Sequence, residues 1–531
     1  MRGVNQMRLT ANLASLLENS ATRFPKNIAI ACGSGTITWA EFNSRVDALS
    51  AALVRRYEIK KGDTILVQSR NCVEMLETMF ACFRVGAVFT AVNFRLTPME
   101  VAYQARVSRA IGFMHGAEFF SHVESARLET EGLRFALSWA GGLENSGSDQ
   151  YEEVLAHFAG EAVLPAAVNY DDLCWIMFTS GSTGRPKAAT MTHGQMAFAI
   201  NNQLCDLMPS MTADDASLVL APLSHGAGVH FLVQVARGVK SVLPESGRVD
   251  PEEVFSLIAR WKITNMFTVP TILKRLVDYE GLSRHDHSSL RYVVYAGAPM
   301  YDSDREKALR LLGPVLVQYY GLAEVAGTIS FLPPEWHLES RTRSATAGFV
   351  RTGMDVEIHD EEGHKVEPGE VGEICVIGPA VFEGYFDDQL ATEKCFKNGW
   401  FHTGDLGYLD SDGFLFITGR KSDMYISGGS NVYPREIEEQ ILAHPLVSEV
   451  AVVGVPDEEW GEIGIAVCVL KNEGDEASCP DLDAWLNGRI ASYKKPRHYF
   501  FWKDLPKSGY GKVTKDLVRK AIVEMKLKGN S

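Results

Sequence analysis

Residues 171–190, DDLCWIMFTSGSTGRPKAAT, constrain the fold of this chain more than any other stretch. The apolar run at 173–178 is short and is bounded by two aspartates and a Thr-Ser-Gly turn, which predicts a buried strand. The run leads into a loop of Thr, Ser and Gly that ends at Lys187. Small residues let backbone N–H groups approach an anion closely, the hydroxyls add donors, and the lysine supplies a positive charge. The stretch therefore predicts a phosphate-binding loop on a rigid strand.

The loop differs from the Walker A motif of many nucleotide-binding proteins. That motif needs Gly-Lys followed by Ser or Thr at the start of a helix, whereas Lys187 follows Arg185-Pro186 and precedes two alanines. A loop of Ser, Thr and Gly is also a common flexible connection between elements. On the residues alone, a phosphate site of another type and a plain connection both stay open.

The size and charge of the chain limit its class. A single hydrophobic core stops growing at about 250–300 residues, so a chain of 531 residues is expected to form at least two domains. The net charge of -15 argues against a nucleic-acid coat. Lysines and arginines crowd the C-terminal end, where they could meet an anionic small substrate or form a solvated basic face.

The sequence predicts neither a membrane span nor a secretory signal. Its apolar runs are shorter than the ~18–20 residues that cross a bilayer, and its beginning lacks the continuous apolar segment of a signal peptide. The nine cysteines form no CxxC pair and several lie within apolar runs, so buried, reduced thiols are expected. We therefore expect a cytoplasmic protein.

The hydrophobic periodicity before and after the loop predicts alternating strands and helices. Thr38 and Glu41 have the spacing of a capping box at a helix start, and strand candidates at 64–67 and 87–92 flank a second helix. Strand, helix, strand is typical of a parallel sheet. Further strand candidates lie at 107–114, 133–139, 217–220, 265–269, 292–295 and 315–319.

From residue 346 to 418 the pattern changes to short alternating runs separated by Gly and Asp turns. The runs at 356–359, 373–377 and 415–418 predict a small antiparallel barrel or sandwich. Beyond them, strand candidates at 447–455 and 463–470 and a helix candidate at 482–490 indicate a further region with both strands and helices.

Several chemically capable residues follow predicted strands. His225 comes soon after the strand at 217–220, where open α/β sheets place ligand residues, although a lone histidine is more often a packing residue. Glu324 follows the strand at 315–319, and a carboxylate beside a phosphate loop can hold Mg²⁺ bridged to a triphosphate. His285 and His287 form an HxH pair, which is interpreted as solvated because no further Cys or His accompanies it.

The order of these features resembles the adenylate-forming superfamily, which includes acyl-CoA synthetases, adenylation domains of peptide synthetases and firefly-type luciferases. The strand, the loop TSGSTGRPK and the TxxH at 190–193 match the phosphate loop of that superfamily. Further matching motifs follow in the expected order at 221–228, 318–324, 400–407, 418–434 and 506–512. The resemblance covers nearly the whole chain and points to AMP-forming acyl-CoA synthetases.

The resemblance implies an α/β fold with two domains. Residues 1–419 would form a large N-terminal domain of two α/β sheets plus a β-barrel-like subdomain, and residues 424–531 a small, mobile α+β C-terminal domain. Residues 420–423 would form the hinge, with Ser422 where the family commonly has Asp or Lys. The active site would lie between the two domains.

The resemblance also implies the nucleotide site. Tyr320 would stack on the adenine, Asp405 would accept both ribose hydroxyl protons from a hairpin-like turn, and Arg420 would make the second ribose contact. The residues that would bind ATP or AMP are Thr179, Ser180, Gly181, Ser182, Thr183, Gly184, Lys187, Gly297, Ala298, Pro299, Gln318, Tyr319, Tyr320, Gly321, Asp405 and Arg420. The family has Thr or Ser at the position of Ala323, so one hydroxyl contact to the α-phosphate is missing here, which would cost about 1 kcal/mol.

The catalytic residues that the resemblance implies are Lys512, Glu324, Thr179 and His225. Lys512 would swing in to neutralise the acyl carboxylate and the α-phosphate, two anions that otherwise repel each other. Glu324 would be the Mg²⁺ ligand. Gly428 and Gly429 would let the pantetheine chain of coenzyme A pass along the backbone.

The acyl pocket that the resemblance implies is mostly apolar. Its walls would be His225, Val229, Phe267 and Gly321, with Phe231, Val269, Tyr295, Gly297 and Ala326 as further candidates. Because these walls include no Arg or Lys for a second carboxylate, a monocarboxylic acid, aliphatic or aryl, is expected.

The implied reaction has two steps. ATP and a carboxylic acid give an acyl-adenylate and pyrophosphate, and coenzyme A then takes the acyl group, giving acyl-CoA and AMP. The expected partners are these small molecules and no nucleic acid, and a homodimer stays open.

Three rival interpretations stay open. The first is a stand-alone adenylation enzyme that loads a carrier protein, although 221–228 lacks the Asp that peptide-synthetase domains typically offer to a substrate amine. The second is a luciferase-like oxygenase, which shares the motifs. The third is a degenerate nucleotide-binding regulator, against which the joint retention of five residues argues: Lys187, Glu324, Asp405, Arg420 and Lys512.

Overall fold

The computed structural model describes residues 9–139, 147–179, 186–298, 300–338, 345–427, 430–457, 459–471, 481–507 and 513–529. Strands and helices alternate over the first part of the chain, and antiparallel strands follow. The strands are β1 (Leu9–Thr10), β2 (Ile28–Cys32), β3 (Gly35–Thr38), β4 (Thr64–Gln68), β5 (Val88–Val92), β6 (Ala110–His115), β7 (Phe135–Ser138), β8 (Asp149–Gln150), β9 (Val168–Asn169), β10 (Leu173–Thr179), β11 (Lys187–Thr192), β12 (Ala216–Val219), β13 (Lys240–Leu243), β14 (Asn265–Thr268), β15 (Tyr292–Tyr295), β16 (Leu316–Tyr320), β17 (Ser330–Leu332), β18 (Thr346–Val350), β19 (Asp355–His359), β20 (Gly372–Ile377), β21 (Phe396–Lys397), β22 (Trp400–Leu409), β23 (Leu415–Arg420), β24 (Tyr425–Ser427), β25 (Ser430–Val432), β26 (Val447–Asp457), β27 (Gly461–Leu470) and β28 (His498–Phe501).

Local capping signals fix several helix starts. The predicted capping box is present at α2, where Oγ1 of Thr38 accepts from the backbone N–H of Glu41 and the Glu41 carboxylate accepts from the backbone N–H of Thr38. The helices are α1 (Ser15–Arg23), α2 (Trp39–Arg55), α3 (Val73–Val85), α4 (Pro98–Val107), α5 (Phe120–Glu129), α6 (Tyr151–His157), α7 (His193–Asp206), α8 (Gly226–Arg237), α9 (Pro251–Trp261), α10 (Pro270–Val277), α11 (Asp302–Leu312), α12 (Gln389–Cys395), α13 (Pro434–Leu442), α14 (Leu482–Leu486) and α15 (Lys515–Gly529).

The first sheet carries the predicted phosphate loop. Its seven strands lie in the order β11-β10-β5-β4-β6-β7-β8. The strands from β10 to β8 run parallel, whereas β11 returns antiparallel to β10 and pairs Lys187 with Thr179. Trp175 and Ile176 are fully buried in β10. The buried strand predicted at 173–178 is therefore confirmed, whereas β11, which places Lys187 opposite Thr179, was not predicted.

The second sheet combines a parallel half and an antiparallel half. Its order is β19-β20-β22-β23-β18-β17-β16-β15-β14-β12-β13-β2-β3, and β21 pairs with β22. The strands from β16 to β2 run parallel, so their carboxyl ends meet at one edge. The antiparallel strands predicted between 346 and 418 join this sheet through β18, which pairs with β17 on one side and β23 on the other.

The last part of the chain has its own sheet and core. β25, β24, β27 and β26 are neighbours in that order, and β28 pairs parallel to β27. The two faces of this sheet are covered by separate apolar clusters, one around Ile437 and Ile441 of α13 and the other around Val518 and Ile522 of α15. The fold is thus mixed α/β with two large-domain sheets and a smaller α+β unit.

Three sequence predictions are displaced in the structure. The strand predicted over 107–114 begins only at Ala110, because the capping box of Thr97 starts α4, which takes the residues before it. The helix predicted over 482–490 ends at Leu486. The hairpin-like turn predicted around Asp405 is wrong, since Asp405 lies inside β22. The register of β22 against β20 instead shifts between His402 and Leu406, on either side of this Gly-Asp pair.

Two further observations concern the surroundings of the fold. None of the helices in the described ranges combines the length and the apolar composition that crossing a membrane requires. Each cysteine that the structure describes is a free thiol.

Candidate active site

The carboxylate of Glu324 lies between the two large sheets. Glu324 is on a short 3-10 turn, Ala323–Val325, that follows β16, and only 7% of the residue is exposed. Its Oε1 accepts hydrogen bonds from Oγ1 of Thr179 at 3.3 Å and from the phenol of Tyr385 at 2.8 Å. Because Thr179 ends β10, the structure brings the predicted metal carboxylate to the base of the predicted phosphate loop.

Tyr385 also contacts the lysine at the other end of that loop. Nζ of Lys187 lies 4.8 Å from the centroid of the Tyr385 ring, within the range of a cation–π interaction. Burial, and after it the negative charge of Glu324, raises the pKa of the Tyr385 phenol. The phenol therefore stays protonated and donates to the carboxylate while its ring face holds the ammonium.

No sequence motif indicates a role for Tyr385. The residue lies in the loop between β20 and α12, where a tyrosine after a glycine is unremarkable. Its segment docks on β11 through an isolated bridge between Tyr385 and Ala189 and through hydrogen bonds from Thr190 to the carbonyl of Gly384. Only this long-range pairing places the ring over Lys187, so no local signal could have found it.

A second polar cluster contains the predicted ribose residues. Asp405 on β22 pairs directly with Arg420 on β23, and Nε of Arg420 lies 2.6 Å from Oδ1 of Asp405. The phenol of Tyr320 donates to Oδ2 of the same carboxylate at 2.6 Å. Burial, and after it the charge of Asp405, raises the pKa of Tyr320. The structure thus brings the three residues predicted to hold adenine and ribose into one hydrogen-bonded group.

The predicted acyl-pocket residues converge at the carboxyl ends of the parallel strands. His225 directly precedes α8, and its Nδ1 lies 2.8 Å from Oγ of Ser224. The rings of Phe267 and Tyr319 are stacked with centroids 5.9 Å apart. A Cβ on Gly226 would lie 2.9 Å from the Phe267 ring and 3.1 Å from the Tyr319 hydroxyl, so a glycine is required for this close contact. Val229 is buried in the next turn of α8.

The predicted adenine segment lies at the same edge. Gly297 follows β15 with φ +85, a conformation that favours glycine. Gln318 on the neighbouring strand accepts a hydrogen bond from the Tyr295 phenol at 3.0 Å. A Cβ on Gly321 would lie 2.4 Å from the carbonyl carbon of Gly327, so the chain can pass here only without a side chain. The edge therefore presents bare backbone beside Tyr320.

The remaining predicted residues stay predictions. Ser422 lies in the turn between β23 and β24, where the backbone N–H of Asp423 bonds to the carbonyl of Arg420 at 3.0 Å. The following predicted site residues lie outside the described residues: Ser180, Gly181, Ser182, Thr183, Gly184, Pro299, Gly428, Gly429 and Lys512.

Comparison with known proteins identifies the family. Residues 17–386 match the AMP-binding enzyme family and residues 436–512 match the AMP-binding enzyme C-terminal domain. The chain is 36% identical over 500 residues to a feruloyl-CoA synthase of an Amycolatopsis species, covering 93% of this chain and 96% of that protein. It is 31% identical over 511 residues to an indoleacetate–CoA ligase of Aromatoleum aromaticum, covering 96% and 98% of the two chains.

Solved structures show the same relationship. The o-succinylbenzoate CoA synthetase of Bacillus subtilis, in complex with its acyl-adenylate intermediate, superimposes with a TM-score of 0.83 at 29% identity and covers 96% of this chain and 98% of its own. ATP-bound MatB from Rhodopseudomonas palustris gives 0.84 at 28% identity with the same coverage. The chain therefore belongs to the AMP-binding enzyme family, as an adenylate-forming acid–CoA ligase. The predicted family, fold class and reaction class are confirmed.

Proposed function

We propose that this protein activates an aromatic monocarboxylic acid. The observation that carries the proposal is the stacked pair Phe267 and Tyr319 beside His225, an uncharged aromatic wall at the carboxyl ends of β14 and β16. A flat ring packs well against such a wall. None of the described wall residues is an Arg or Lys that could pair with the second carboxylate of a dicarboxylic acid. The relatives named for feruloyl-CoA and indoleacetate–CoA formation support the same substrate class.

In the proposed first step the acid attacks the α-phosphorus of ATP and pyrophosphate leaves. Thr179 and Lys187 stand at the two ends of the loop that would hold the leaving phosphates. Asp405 and Arg420 would hold the ribose. Lys512 would enter and supply the positive charge that neutralises the two reacting anions.

The residues around Glu324 fit a magnesium ion. Mg²⁺ prefers hard oxygen ligands, and here a buried carboxylate lies beside the hydroxyl of Thr179 at the base of the phosphate loop. Glu324 would hold the ion, with Thr179 next to it. When bound, the ion would offset negative charge on the phosphates. Tyr385 orients the carboxylate through its hydrogen bond.

In the proposed second step the C-terminal unit, 424–531, turns about the hinge 420–423. Its separate sheet and cores, with β24 beginning at Tyr425, support such a division from the domain 1–419. One hydrogen bond that would have to break is that from Nη1 of Arg435 on α13 to the carbonyl of Ile417 on β23, at 2.9 Å. This rotation of the C-terminal unit would withdraw Lys512 and bring Gly428 and Gly429 to the site for coenzyme A.

The test is AMP formation from ATP and Mg²⁺ with a panel of acids, each with and without coenzyme A. The panel contains hydroxycinnamates, benzoates, indoleacetate and fatty acids of several lengths. We expect AMP release that requires both an aromatic acid and coenzyme A. Preference for a fatty acid would overturn the substrate class. An acid that supports pyrophosphate exchange but gives no AMP release when coenzyme A is added would favour loading of a carrier protein.

A variant pair tests the wall itself. Phe267→Leu should raise the KM for the aromatic acid while leaving the KM for ATP nearly unchanged, because the ring contact is lost and the nucleotide residues are untouched. Phe255→Leu is the matched control, since Phe255 is equally buried but belongs to the separate apolar cluster under α9. Equal effects of the two changes would contradict the assigned wall.

A further inference from the structure

A cluster of two histidines and a cysteine lies on three neighbouring strands of the antiparallel half of the second sheet. His359 ends β19, Cys375 is in β20 and His402 is in β22. One ligand atom from each residue lies within 4.8 Å of the other two. His359 and Cys375 are buried, and His402 is nearly so. The cluster is separate from the residues assigned to ATP, the acid and coenzyme A.

Two ring nitrogens in this cluster are buried without a hydrogen bond. Among the described residues, Nδ1 of His359 and Nε2 of His402 contact no donor or acceptor. Buried polar atoms in folded proteins are almost always paired, so the unpaired Nδ1 of His359, whose ring lies in a cluster with a thiol, calls for a further ligand. A metal ion would satisfy such a nitrogen, because neutral imidazole is the commonest metal ligand in proteins.

One carboxylate holds the His359 ring from behind, and a second lies on the cluster side of the His402 ring. Oε2 of Glu357 lies 3.0 Å from Nε2 of His359, which leaves Nδ1 of that ring for the cluster. Oε2 of Glu373 lies 3.2 Å from Nδ1 of His402. This nitrogen of His402 also faces Sγ of Cys375, so Glu373 lies beside the cluster and not behind the ring. Glu357 is on the second nitrogen of His359, as is usual for metal-binding histidines, because the carboxylate fixes the ring and makes it more basic. Glu373 also brings an oxygen to the edge of the cluster.

We infer that His359, Cys375 and His402 form a binding site for a borderline or soft transition-metal ion of the Zn²⁺ type. Sγ of Cys375 lies 3.5 Å from Nδ1 of His402, and roughly 3.5 Å is the separation of a sulfur and a nitrogen bound to one tetrahedral Zn²⁺. Two nitrogens and one sulfur match the ligand preference of Zn²⁺ and Co²⁺, not that of Mg²⁺. On binding, the metal–sulfur bond replaces the S–H bond, and the proton passes to solvent.

The charges around the cluster are mixed. Glu357 and Glu373 favour a cation, whereas Lys365 and Lys421 neutralise them in part, with Nζ 2.9 Å from Glu357 and 3.6 Å from Glu373. Lys397 adds a further positive charge near Cys375. Glu357 therefore serves chiefly to orient the ring of His359, and the affinity depends on the three cluster residues and the oxygen of Glu373 beside them. A bound ion would join β19, β20 and β22 at their side chains.

Cobalt titration of the full-length, tag-free protein tests the site directly. Co²⁺ bound to a thiolate has a charge-transfer absorption that Co²⁺ bound only to nitrogen or oxygen lacks, so one equivalent of Co²⁺ should produce it and added Zn²⁺ should abolish it. Cys375→Ser should lose this absorption. Cys468→Ser is the matched control, because Cys468 is equally buried but lies in the C-terminal sheet. No absorption in the unaltered protein, or an equal absorption in Cys375→Ser, would overturn the proposal.

The orienting role of Glu357 provides a second readout. Glu357→Gln leaves all three cluster residues in place and should weaken Co²⁺ binding by about 10–100-fold. Zn²⁺ should also raise the melting temperature of the unaltered protein and not that of His359→Gln. AMP formation with Mg²⁺ shows that each variant is folded. An affinity for Co²⁺ that is unchanged in both His359→Gln and Glu357→Gln would place the ion elsewhere and overturn the site.

Discussion

Asp405 is held from both sides, by the phenol of Tyr320 at 2.6 Å and by Nε of Arg420 at 2.6 Å. The carboxylate is 5% exposed and lies in the interior of β22. Both of its oxygens are thus already bonded within the protein. A ribose that binds this carboxylate through its hydroxyls must share Oδ2 with Tyr320 or displace the phenol, so the adenine residue and the ribose residue are energetically coupled.

This arrangement predicts different effects for two conservative changes. Asp405→Asn removes a charged acceptor, which contributes about 1.5–3 kcal/mol per hydrogen bond, so the KM for ATP should rise about 10–100-fold. Tyr320→Phe removes only the phenol and keeps the ring for stacking, so the KM should change less than about 10-fold. Steady-state kinetics with ATP as the varied substrate measures both. Asp355→Asn, at an exposed position that starts β19, is the control. Equal effects of the first two changes would contradict a ribose role for Asp405.

Tyr385, which no local sequence pattern indicates, should support adenylation through its contacts with Glu324 and Lys187. Tyr385→Phe removes the hydrogen bond to Glu324 but keeps the ring under Lys187, and we expect adenylation to slow about 2–10-fold. Tyr385→Ala removes both contacts and should slow it considerably more. Pyrophosphate exchange measures this half-reaction. The control is Tyr408→Phe, a tyrosine stacked on Phe416 in the neighbouring strands. If Tyr385→Ala behaved like Tyr385→Phe, the ring would not position Lys187.

The contrast between these residues shows what the sequence could predict. Lys187 and Glu324 could be predicted because each follows a strand candidate within a short motif, where α/β sheets place ligand residues. Tyr385 and the His359, Cys375 and His402 cluster were not found, because these residues meet only through pairing between strands far apart in the chain. The prediction of a turn at Asp405 was wrong because a Gly-Asp pair inside a strand and one in a turn have the same local sequence.

Glu324 should determine the response to magnesium. Glu324→Gln keeps an acceptor for Thr179 and Tyr385 but removes the charge, so adenylation should fall about 100-fold and saturate only at higher Mg²⁺ concentration. Mg²⁺ titrations of the exchange reaction measure the shift. Glu335→Gln, at an exposed residue of the 3-10 turn Pro334–Trp336, is the control. A lower rate with an unchanged Mg²⁺ dependence would argue that Glu324 only orients its neighbours.

Buried histidines should make the protein sensitive to mild acid. Burial lowers the pKa of His193, His230 and His337 to about 4 each, whereas an unfolded histidine titrates near 6.5. Between these values the unfolded chain binds more protons, so the free energy of unfolding falls as the pH drops from 6.5 to 4, by up to about 3 kcal/mol per residue. Above pH 6.5 it should be independent of these groups.

Denaturant unfolding at pH 7.5 and pH 5 checks this dependence. His337→Gln removes one of the three groups, so the variant should lose less stability between the two pH values than the unaltered protein. His364→Gln, whose side chain is 79% exposed, should show the full loss. An identical pH dependence in the two variants would contradict the assignment to buried neutral histidines.

Replacement of Lys512 should slow adenylation and leave thioester formation nearly unchanged. Lys512→Ala removes the charge proposed to bridge the acyl carboxylate and the α-phosphate, so adenylation should fall by at least about 100-fold. The second step needs no such bridge, because the acyl-adenylate is already formed, and thioester formation from supplied acyl-adenylate and coenzyme A should therefore be nearly normal. Lys507→Ala, which removes a lysine five positions earlier in the sequence that pairs with Glu449 at 2.7 Å, is the control. Equal loss of both half-reactions in Lys512→Ala would contradict the proposed alternation of the C-terminal unit between the two steps.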